Sequence, residues 1–300
     1  MLPGRFFYMR IALIGADGQL GSDLVPALRG HDVVPLYWPE FDVTRTESAA
    51  GVLANLRPDV VINTAAFHRV DECEDKIESA FAVNAFAVRE LARTCRAIES
   101  VLVHFSTDFV FAGEKRTPYR EEDRPGPLSV YAASKLAGEH FVRATTDRAF
   151  VIRTCGLFGR AGCLEKGRNF VETMLFLADS GRSLIRVVDD QIVTPTSTTE
   201  LASRVAELIR TEAFGLYHMT AEGSCSWFEF ARAIFELTGG DPGIVGLVDS
   251  MNFGAKARRP AYSVLENGRM KDIGLTPFSP WRAALAAYLD GKKDALEPRT

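Results

Sequence analysis

The sequence predicts an α/β fold in which a parallel sheet carries helices on both faces. Three observations favour this class. Apolar runs of strand length alternate with segments of helical period along the first half of the chain. A glycine-rich turn, Gly15-Ala-Asp-Gly-Gln-Leu-Gly21, follows the first of these runs, and Tyr131 and Lys135 lie four residues apart in a helical segment further along. Such alternation is typical of doubly wound sheets, whose ligands lie at the carboxyl ends of the strands.

The first unit is a short buried strand over 9–15 and a helix over 19–29. This is the setting that the dinucleotide-binding glycine turn of a Rossmann-type fold requires. Gly15 permits a tight turn, Gly18 lets the backbone approach a pyrophosphate, and Gly21 allows close packing of the helix on the strand. A glycine turn without a ligand is the alternative. The predicted cofactor-binding residues of the turn are Gly15, Gly18, Gln19, Leu20 and Gly21.

The next elements continue this alternation. Strands are predicted at Val33–Tyr37, Val60–Asn63, Val101–Ser106 and Phe150–Thr154, and helices at Ser48–Leu56, Ile77–Ala97 and Val130–Arg143. The second half has fewer and shorter predicted strands. Helices are predicted at Phe170–Ser180, Thr198–Arg210 and Trp227–Leu237, and short strands at Arg186–Val188 and Leu216–Met219.

These elements predict a Rossmann domain over 9–155 and a smaller C-terminal α/β substrate lobe over 156–300, some of whose segments return to the Rossmann body. The active site is expected between the two. Residues 1–8 precede a second methionine, Met9, and are interpreted as an extension.

Composition excludes several function classes. The 300 residues are 47% hydrophobic and 25% charged, with a net charge of −4, so no whole-chain basic field favours nucleic acid. Apolar runs are too short to span a membrane and no signal peptide is recognised, which predicts a cytoplasmic protein without a membrane partner. The five cysteines are scattered without a Cys-x-x-Cys pair, so we expect reduced thiols rather than disulfides or a zinc site. No catalytic metal is predicted.

Tyr131 and Lys135 share one helix face because residues i and i+4 are neighbours there. A free phenol has a pKa of about 10, and a nearby cation lowers that value. A Tyr-x-x-x-Lys pair alone is common and usually belongs to a solvated helix face. Downstream of a glycine turn in a strand–turn–helix unit, the pair indicates a hydride-transfer enzyme.

Several further motifs carry a resemblance to a known family. The glycine turn, Asn63-Thr-Ala-Ala66, Val83-Asn-Ala85, Ser106-Thr-Asp-Phe-Val-Phe111 and the Tyr131/Lys135 pair together resemble the extended short-chain dehydrogenase/reductases. Within that group the chain is most similar to the dTDP-4-dehydrorhamnose reductase family. Collinear matches are His68-x-Val-Asp71, Asn169-Phe-x-x-Thr-Met174, Asp190-Gln-x-x-x-Pro-Thr196, Gly215-Leu-Tyr-His218 and Ala257-Arg-Arg-Pro260.

The resemblance implies reduction by NADPH of the C4 ketone of dTDP-4-dehydro-L-rhamnose, giving dTDP-L-rhamnose. It implies that Tyr131 protonates the nascent alkoxide. Lys135 would lower the pKa of Tyr131 and hold the nicotinamide ribose, and Thr107 would hydrogen-bond the substrate oxygen. The other implied cofactor contacts are Asp42, Val43, Ala65, Ala66 and Asn84, and the implied substrate contacts are Asp108, Asn169 and Arg259.

Alternatives stay open at several of these positions. Asp42 before Thr44 fits a helix N-cap as well as an adenine contact, and Asn84 fits a helix asparagine whose hydrogen bonds are internal. Arg259 belongs to an Arg-Arg pair that suits either a diphosphate or an exposed turn. The end of the second predicted strand carries neither the acidic residue typical of NAD binding nor the arginine typical of NADP binding. NADPH with some use of NADH is the hypothesis.

Three positions bear on the type of reaction and the substrate. Related dehydratases have Asp-Glu after the active-site threonine, whereas this chain has Asp108-Phe109, which favours a reductase. The family usually has Ser-Trp, with the indole beside the sugar, where this chain has Cys155-Gly156. A glycine is usual at Val193, and its loss is expected to alter the loop path.

Other functions remain as alternatives. One is a reductase or 4-epimerase that acts on another nucleotide sugar. Another is a cofactor-binding regulatory subunit without turnover of its own, against which the intact set of Thr107, Tyr131 and Lys135 argues. The resemblance also implies a homodimer formed through a helix pair that flanks the sheet.

Overall fold

A computed structural model describes residues 8–161 and 167–296. The strands are β1 (Arg10–Ile14), β2 (Asp32–Leu36), β3 (Val60–Asn63), β4 (Val101–Thr107), β5 (Ala149–Thr154), β6 (Leu157–Phe158), β7 (Ile185–Val188), β8 (Ile192–Val193), β9 (Thr196–Ser197), β10 (Gly215–His218), β11 (Cys225–Ser226) and β12 (Val245–Val248). The helices are α1 (Gln19–Ala27), α2 (Thr46–Leu56), α3 (Val70–Cys73), α4 (Ile77–Phe81), α5 (Ala87–Ala97), α6 (Val130–Thr145), α7 (Phe170–Asp179), α8 (Thr198–Leu208), α9 (Trp227–Thr238), α10 (Ser250–Phe253), α11 (Gly268–Asp272) and α12 (Trp281–Leu296).

A six-stranded parallel sheet with the order β10-β5-β4-β3-β1-β2 forms the body of the protein. Its strands are short and largely apolar, as strands buried on both faces must be. The chain runs outward from β1 to β2 on one side and from β3 through β4 and β5 on the other. This reversal opens a crevice at the carboxyl ends of β1 and β3, where doubly wound sheets bind ligands. The predicted fold class is confirmed.

Two hydrophobic clusters cover the two faces of this sheet. One packs α1 and α8 against it through residues such as Leu24, Leu201 and Val205. The other packs α2 and α5 through residues such as Leu53 and Leu91. Because α8 and β10 come from the second half of the chain, later segments are part of the body.

A third cluster lies in the later segments. Its buried side chains include Phe158, Val171, Phe230, Ile234 and Leu285, contributed by β6, α7, α9 and α12. The division into domains at residue 155 stays a prediction. Both α7 and α9 begin with a capping box, formed by Asn169 with Glu172 and by Ser226 with Glu229, which satisfies the first backbone N–H groups.

The single helix predicted over Ile77–Ala97 is wrong in its middle. The structure has α4 and α5 joined by a π-helical turn, Ala82–Phe86. The hydrophobic period does not reveal this turn, which packs closely against α6. A Cβ on Gly138 of α6 would lie 2.3 Å from the Asn84 carbonyl oxygen, so only glycine permits this approach.

Among the described residues no helix is long and apolar enough to cross a membrane. Cys95, Cys155 and Cys225 are buried free thiols, and Cys73 is also buried. Cys163 lies outside the described residues, as do residues 1–7 of the predicted extension. Across 8–161 and 167–296, no group of three or more His, Cys, Asp or Glu side chains is arranged to hold a metal ion.

Candidate functional site

The glycine turn after β1 is closed by contacts that exclude side chains. Gly15 has a φ of +73°, and a Cβ there would lie 2.7 Å from the Thr64 hydroxyl oxygen. A Cβ on Gly21 would lie 2.1 Å from the Gly15 carbonyl oxygen, and the Gly18 N–H donates to that same oxygen at 3.0 Å. The helix therefore packs directly on the turn, as the sequence predicts for Gly15 and Gly21.

The amino end of α1 fits the pyrophosphate of a dinucleotide. Gly18 caps the helix without a side chain, and the first turn carries no acidic residue, so its N–H groups remain available to an anion. The side-chain oxygen of Gln19 is buried there without a hydrogen-bond partner in the described structure, and Leu20 is buried beneath it. A polar ligand group at this turn would satisfy the Gln19 amide.

Asp42 closes a turn with one of its carboxylate oxygens. Oδ1 accepts from the Thr44 N–H at 2.9 Å and from the Thr44 hydroxyl at 2.7 Å. The N-cap of α2 is Arg45, so Asp42 is not the cap itself. Its Oδ2 is 3.8 Å from the Arg45 guanidinium, and the following Val43 is buried. The adenine contact at Asp42 and Val43 stays a prediction, for which Oδ2 is the available oxygen.

Asn84 ties the loop after β3 to the helix that carries Tyr131. Its Oδ1 accepts from the Phe67 N–H at 2.9 Å, while its Nδ2 donates to the Phe67 carbonyl at 2.9 Å and to Ser134 Oγ at 3.0 Å. The loop holds the predicted cofactor contacts Ala65 and Ala66, and the Ala65 N–H donates to Asn63 Oδ1 at 3.1 Å. The Asn84 amide is thus engaged within the protein, as the alternative interpretation expects.

Thr107 and Tyr131 meet at the carboxyl edge of the sheet. Thr107 is the last residue of β4, and Tyr131 lies in the first turn of α6, which Ser129 caps by accepting from the Ala132 N–H at 3.3 Å. The Thr107 hydroxyl lies close enough to the Tyr131 hydroxyl to lower its pKa. The Phe109 ring stands edge-on to the Tyr131 ring, with centroids 6.2 Å apart. One helical turn after Tyr131, Lys135 is buried.

Burial decides the protonation of both side chains on α6. It raises the pKa of Tyr131 above its usual value, and the Thr107 hydrogen bond only partly offsets this rise. The expected lowering by Lys135 is not among the causes of the shift. Burial lowers the pKa of Lys135 to about 8, although the Glu139 carboxylate opposes this change. Tyr131 therefore keeps its proton, as a general acid requires, and Lys135 is mostly cationic near neutral pH.

Asp108 lies directly beside this pair and is 3% exposed. Its Oδ1 is 3.0 Å from the Thr107 hydroxyl, and its Oδ2 accepts from the Cys155 thiol at 3.0 Å. Burial raises the pKa of Asp108 and raises that of Cys155 well above its usual value. The contact of Asp108 with Cys155 was not predictable, because nothing in the strand pattern relates residues 47 positions apart.

A buried ion pair supports α6 from the sheet. The Arg153 guanidinium donates to both carboxylate oxygens of Glu139, at 2.9 and 2.7 Å, and both side chains are 2% exposed. Ser106 Oγ also donates to Glu139, at 2.5 Å, and Arg153 faces His218 Nε2 at 3.4 Å. The only sequence signal for this network is that Glu139 lies four residues after Lys135.

Two predicted substrate contacts are engaged elsewhere. Asn169 caps α7, and its Nδ2 donates to the Gly159 carbonyl at 2.9 Å and to the Tyr288 hydroxyl at 3.2 Å. Arg259 forms an ion pair with Asp71 at 2.9 Å. The motif around Asp71 thus contacts the Arg-Arg-Pro motif directly. Substrate contacts at Asn169 and Arg259 stay predictions.

The space beside Gly156 is already lined by other side chains. Gly156 has a φ of +54°, and a Cβ there would lie 3.2 Å from Pro195 Cα and 3.4 Å from the Trp227 ring. The Trp227 ring packs on Phe170 with centroids 4.7 Å apart. The expected change in the loop path at Val193 is not accompanied by backbone strain, because Val193 pairs with Cys225 in the antiparallel β8–β11 ladder and lacks a positive φ.

Comparisons with known proteins agree with this geometry. The family model described as "RmlD substrate binding domain" matches residues 9–293. A dTDP-4-dehydrorhamnose reductase from Streptomyces griseus is 40% identical over 92% of this chain and 91% of its own, and a dTDP-4-keto-6-deoxy-D-glucose reductase from Streptomyces niveus is 39% identical over 92% and 95%. The crystal structure of dTDP-4-dehydrorhamnose reductase from Bacillus anthracis in complex with NADP superposes with a TM-score of 0.90 at 35% identity, covering 95% of this chain and all of that one. The chain therefore belongs to the dTDP-4-dehydrorhamnose reductase family, whose family model is that of the RmlD substrate binding domain.

Proposed function

We propose that this protein is an oxidoreductase that uses NADPH to reduce the C4 ketone of dTDP-4-dehydro-L-rhamnose to dTDP-L-rhamnose. One observation carries the proposal: the Thr107 and Tyr131 hydroxyls lie close together at the carboxyl edge of the sheet, with Lys135 buried one helical turn away. This is the edge at which the glycine turn presents the amino end of α1. A ketone oxygen bound between Thr107 and Tyr131 has a hydrogen-bond donor and an acid within reach.

Each of the three side chains has a distinct task. The nicotinamide supplies hydride when the cofactor is bound. Tyr131 gives its proton to the oxygen on which charge develops, and its raised pKa keeps that proton in place until then. Thr107 donates a hydrogen bond to the same oxygen. Lys135, cationic below a pKa of about 8, holds the nicotinamide ribose.

NADPH is the preferred cofactor, supported by the NADP complex of the relative from Bacillus anthracis. NADH is a second, weaker donor, because the chain after β2 has neither the acidic residue nor the arginine that distinguishes the two. Exposed Tyr37 and Trp38 follow β2 instead. We place the reaction in the cytoplasm. Contacts of the dinucleotide with the glycine turn, Asp42, Val43, Ala65 and Ala66 belong to the proposal.

A different sugar is the second candidate substrate. The relative from Streptomyces niveus is named as a reductase of dTDP-4-keto-6-deoxy-D-glucose, and its identity to this chain is within one percentage point of that of the relative from Streptomyces griseus. Because this chain has Cys155-Gly156, it lacks the indole expected beside the sugar at this position. The shape of the sugar pocket is therefore expected to differ. The exposed Arg258, next to the paired Arg259, is available to the substrate diphosphate.

The test follows the consumption of NADPH by its absorbance, with dTDP-4-dehydro-L-rhamnose and dTDP-4-dehydro-6-deoxy-D-glucose offered separately. We expect kcat/KM to be higher for the L-rhamno ketone. Tyr131→Phe is expected to lower kcat by about 10²–10⁴-fold, and Thr107→Val by about 10²–10³-fold. Tyr217→Phe is the matched control, since Tyr217 is a buried tyrosine of β10 outside the site, and its kcat is expected to match the wild type.

The outcomes separate the alternatives. NADPH bound but not oxidised with either sugar would favour a regulatory subunit, and conversion of the sugar without net NADPH consumption would identify an epimerase. Faster turnover of the D-gluco ketone would mean that this sugar is the substrate, while the reaction would still be the reduction of a C4 ketone by NADPH. A homodimer is also a prediction, which light scattering of the purified protein checks.

A further inference from the structure

The Asp108 carboxyl group contacts both the Thr107 hydroxyl and the Cys155 thiol. The proposed reaction uses the hydroxyl and does not use the thiol. Thr107 Oγ1 is 3.0 Å from Oδ1, and the Cys155 Sγ is 3.0 Å from Oδ2. Asp108 is 3% exposed and Cys155 is 2% exposed. A buried carboxyl group in this position is costly unless its hydrogen bonds are complete. The direction of these hydrogen bonds decides what Thr107 can donate.

The hydrogen bonds of Thr107 depend on the charge of Asp108. A hydroxyl has one hydrogen and two lone pairs. The Phe109 N–H donates to Thr107 Oγ1 at 3.2 Å and occupies one lone pair. An ionised Asp108 only accepts, so the Thr107 hydrogen points to Oδ1 and is lost to the substrate. In the structure Thr107 Oγ1 donates to Asp108 Oδ1 at 3.0 Å. Protonation of Oδ1 would reverse this hydrogen bond, so that Asp108 donates to Oγ1, fills its second lone pair and leaves the Thr107 hydrogen free.

Cys155 determines which oxygen of Asp108 carries the proton. A thiol has a single hydrogen, and Cys155 donates it to Oδ2. Oδ2 is then an acceptor, so the proton of the carboxyl group stays on Oδ1, opposite Thr107. The serine that the family usually has at this position also carries one donor hydrogen. Cys155 therefore retains a hydrogen-bond donor for Asp108 although it is a cysteine rather than a serine.

Asp108 is buried without a cationic partner. The titratable or polar groups that face it are Thr107 on its own segment, Cys155 after β5, Ser263 of the C-terminal segment and, beyond Thr107, Tyr131 on α6. Within the part of the chain that the structure describes, no lysine or arginine forms an ion pair with Asp108. Burial is the largest influence and raises the pKa of Asp108, while the hydrogen bonds of Ser263, Cys155 and Thr107 lower it and offset part of the rise.

We propose that Asp108 is a positioning residue that acts as a neutral acid: it donates to Thr107 and so turns the Thr107 hydroxyl hydrogen towards Tyr131 and the reacting oxygen, while Cys155 keeps the proton of Asp108 on Oδ1. The inference rests on the proposed function, because the donor role of Thr107 comes from it. No proton leaves Asp108 in this role, so the overall balance of the reduction is unchanged.

The pH dependence of kcat tests this role. Two ionisations at increasing pH are expected to lower kcat, that of Asp108 and that of Lys135, whose pKa is about 8. Asp108→Asn keeps an N–H donor opposite Thr107 and cannot ionise, so kcat should stay within about tenfold of the wild type and only the Lys135 ionisation should remain. Asp108→Ala removes the donor and should lower kcat by about 10²-fold.

Cys155 variants provide the second arm. Cys155→Ala removes the hydrogen-bond donor to Oδ2 of Asp108 and so destabilises the Asp108 carboxylate. The ionisation of Asp108 should therefore move to higher pH, and the plateau value of kcat should fall several-fold. Cys155→Ser keeps a donor and should retain the wild-type profile. Cys95→Ala is the matched control, a buried thiol in the second hydrophobic cluster away from the site, and should leave the pH profile unchanged.

An infrared spectrum checks the protonation of Asp108 without turnover. The difference spectrum between wild type and Asp108→Asn should contain the C=O band of a protonated carboxyl group at neutral pH, shifted by Cys155→Ala and not by Cys95→Ala. Absence of that band overturns the inference, as does an Asp108→Asn variant that folds, binds NADPH and is as slow as Asp108→Ala. If the wild type reduces no sugar, the proposed function fails, while the band still decides the state of Asp108.

Discussion

Glu139→Gln tests how far the buried ion pair with Arg153 holds the catalytic helix in place. The substitution keeps the size of the side chain and removes its charge. Both partners are 2% exposed and joined by two hydrogen bonds, so solvent screening is small. Two unit charges about 4 Å apart attract by about 4 kcal/mol at an effective dielectric constant of about 20. Removing one partner of a buried pair costs about 3–5 kcal/mol, because the other charge remains buried and unpaired.

We therefore expect Glu139→Gln to lower the free energy of unfolding by about 3 kcal/mol or more, measured by urea denaturation followed by circular dichroism. Glu236→Gln is the matched control, since Glu236 pairs with Arg282 at 2.6 Å on the surface with both side chains at least 38% exposed. An exposed pair contributes about 0–1 kcal/mol. A loss for Glu139→Gln no larger than that of the control would refute the reasoning.

A double variant distinguishes the buried charge from simple loss of packing. Glu139→Leu combined with Arg153→Met replaces both charges with apolar side chains of similar volume. Such replacements of buried pairs are often neutral or stabilising. We expect the double variant to be more stable than Glu139→Gln. Equal instability of both variants would mean that shape, rather than an unpaired charge, accounts for the loss.

Three further predictions concern the site. Because deprotonation of Lys135 occurs with a pKa of about 8, kcat/KM should fall as the pH rises through 8, and the fall should begin at lower pH in Glu139→Gln, since the Glu139 carboxylate raises that pKa. Gly21→Ala places a Cβ 2.1 Å from the Gly15 carbonyl oxygen. The variant should therefore bind NADPH at least about tenfold more weakly, measured by calorimetry. Gly51→Ala in α2 is the control, because a Cβ there meets nothing within 4 Å, and it should leave NADPH binding unchanged. Gly156→Ala should lower the free energy of unfolding by about 1–2 kcal/mol in urea titration because of its positive φ and the 3.2 Å approach to Pro195 Cα; a stability equal to the wild type would contradict the argument.

The strands of the central sheet and the helices that cover it were predictable because each carries its own signal. Apolar runs of strand length and helical periods are local, and the observed bounds of the predicted elements mostly differ from the predicted ones by one or two residues. The sequence did not lead us to predict α12, the short helices α3, α10 and α11, or the strands β6, β8, β9, β11 and β12. The π-helical turn at Ala82–Phe86 was not predictable, since it arises from the approach of Gly138 on another helix. The glycine turn was predictable because tight turns restrict the choice of residue at Gly15 and Gly21.

The polar network of the site was only partly predictable. Thr107, Tyr131 and Lys135 belong to motifs of fixed spacing, so the sequence indicates them. The contacts Glu139–Arg153 and Asp108–Cys155 join residues 14 and 47 positions apart, and no periodicity relates them. Arg153 lies within an apolar strand, where an unpaired charge would be costly, but the sequence does not identify its partner.

An aromatic side chain of α9 lies beside the segment after β5. The backbone at Gly156 adopts a φ of +54°, which disfavours any side chain, and a Cβ there would lie 3.2 Å from Pro195 Cα and 3.4 Å from the Trp227 ring. Trp227 is held by Phe170 and Phe230, with ring centroids 4.7 and 6.1 Å away. A larger side chain at position 156 would therefore require the backbone at Gly156 or Pro195 to move. Trp227 supplies an aromatic surface next to residue 156 although residue 156 has no side chain of its own.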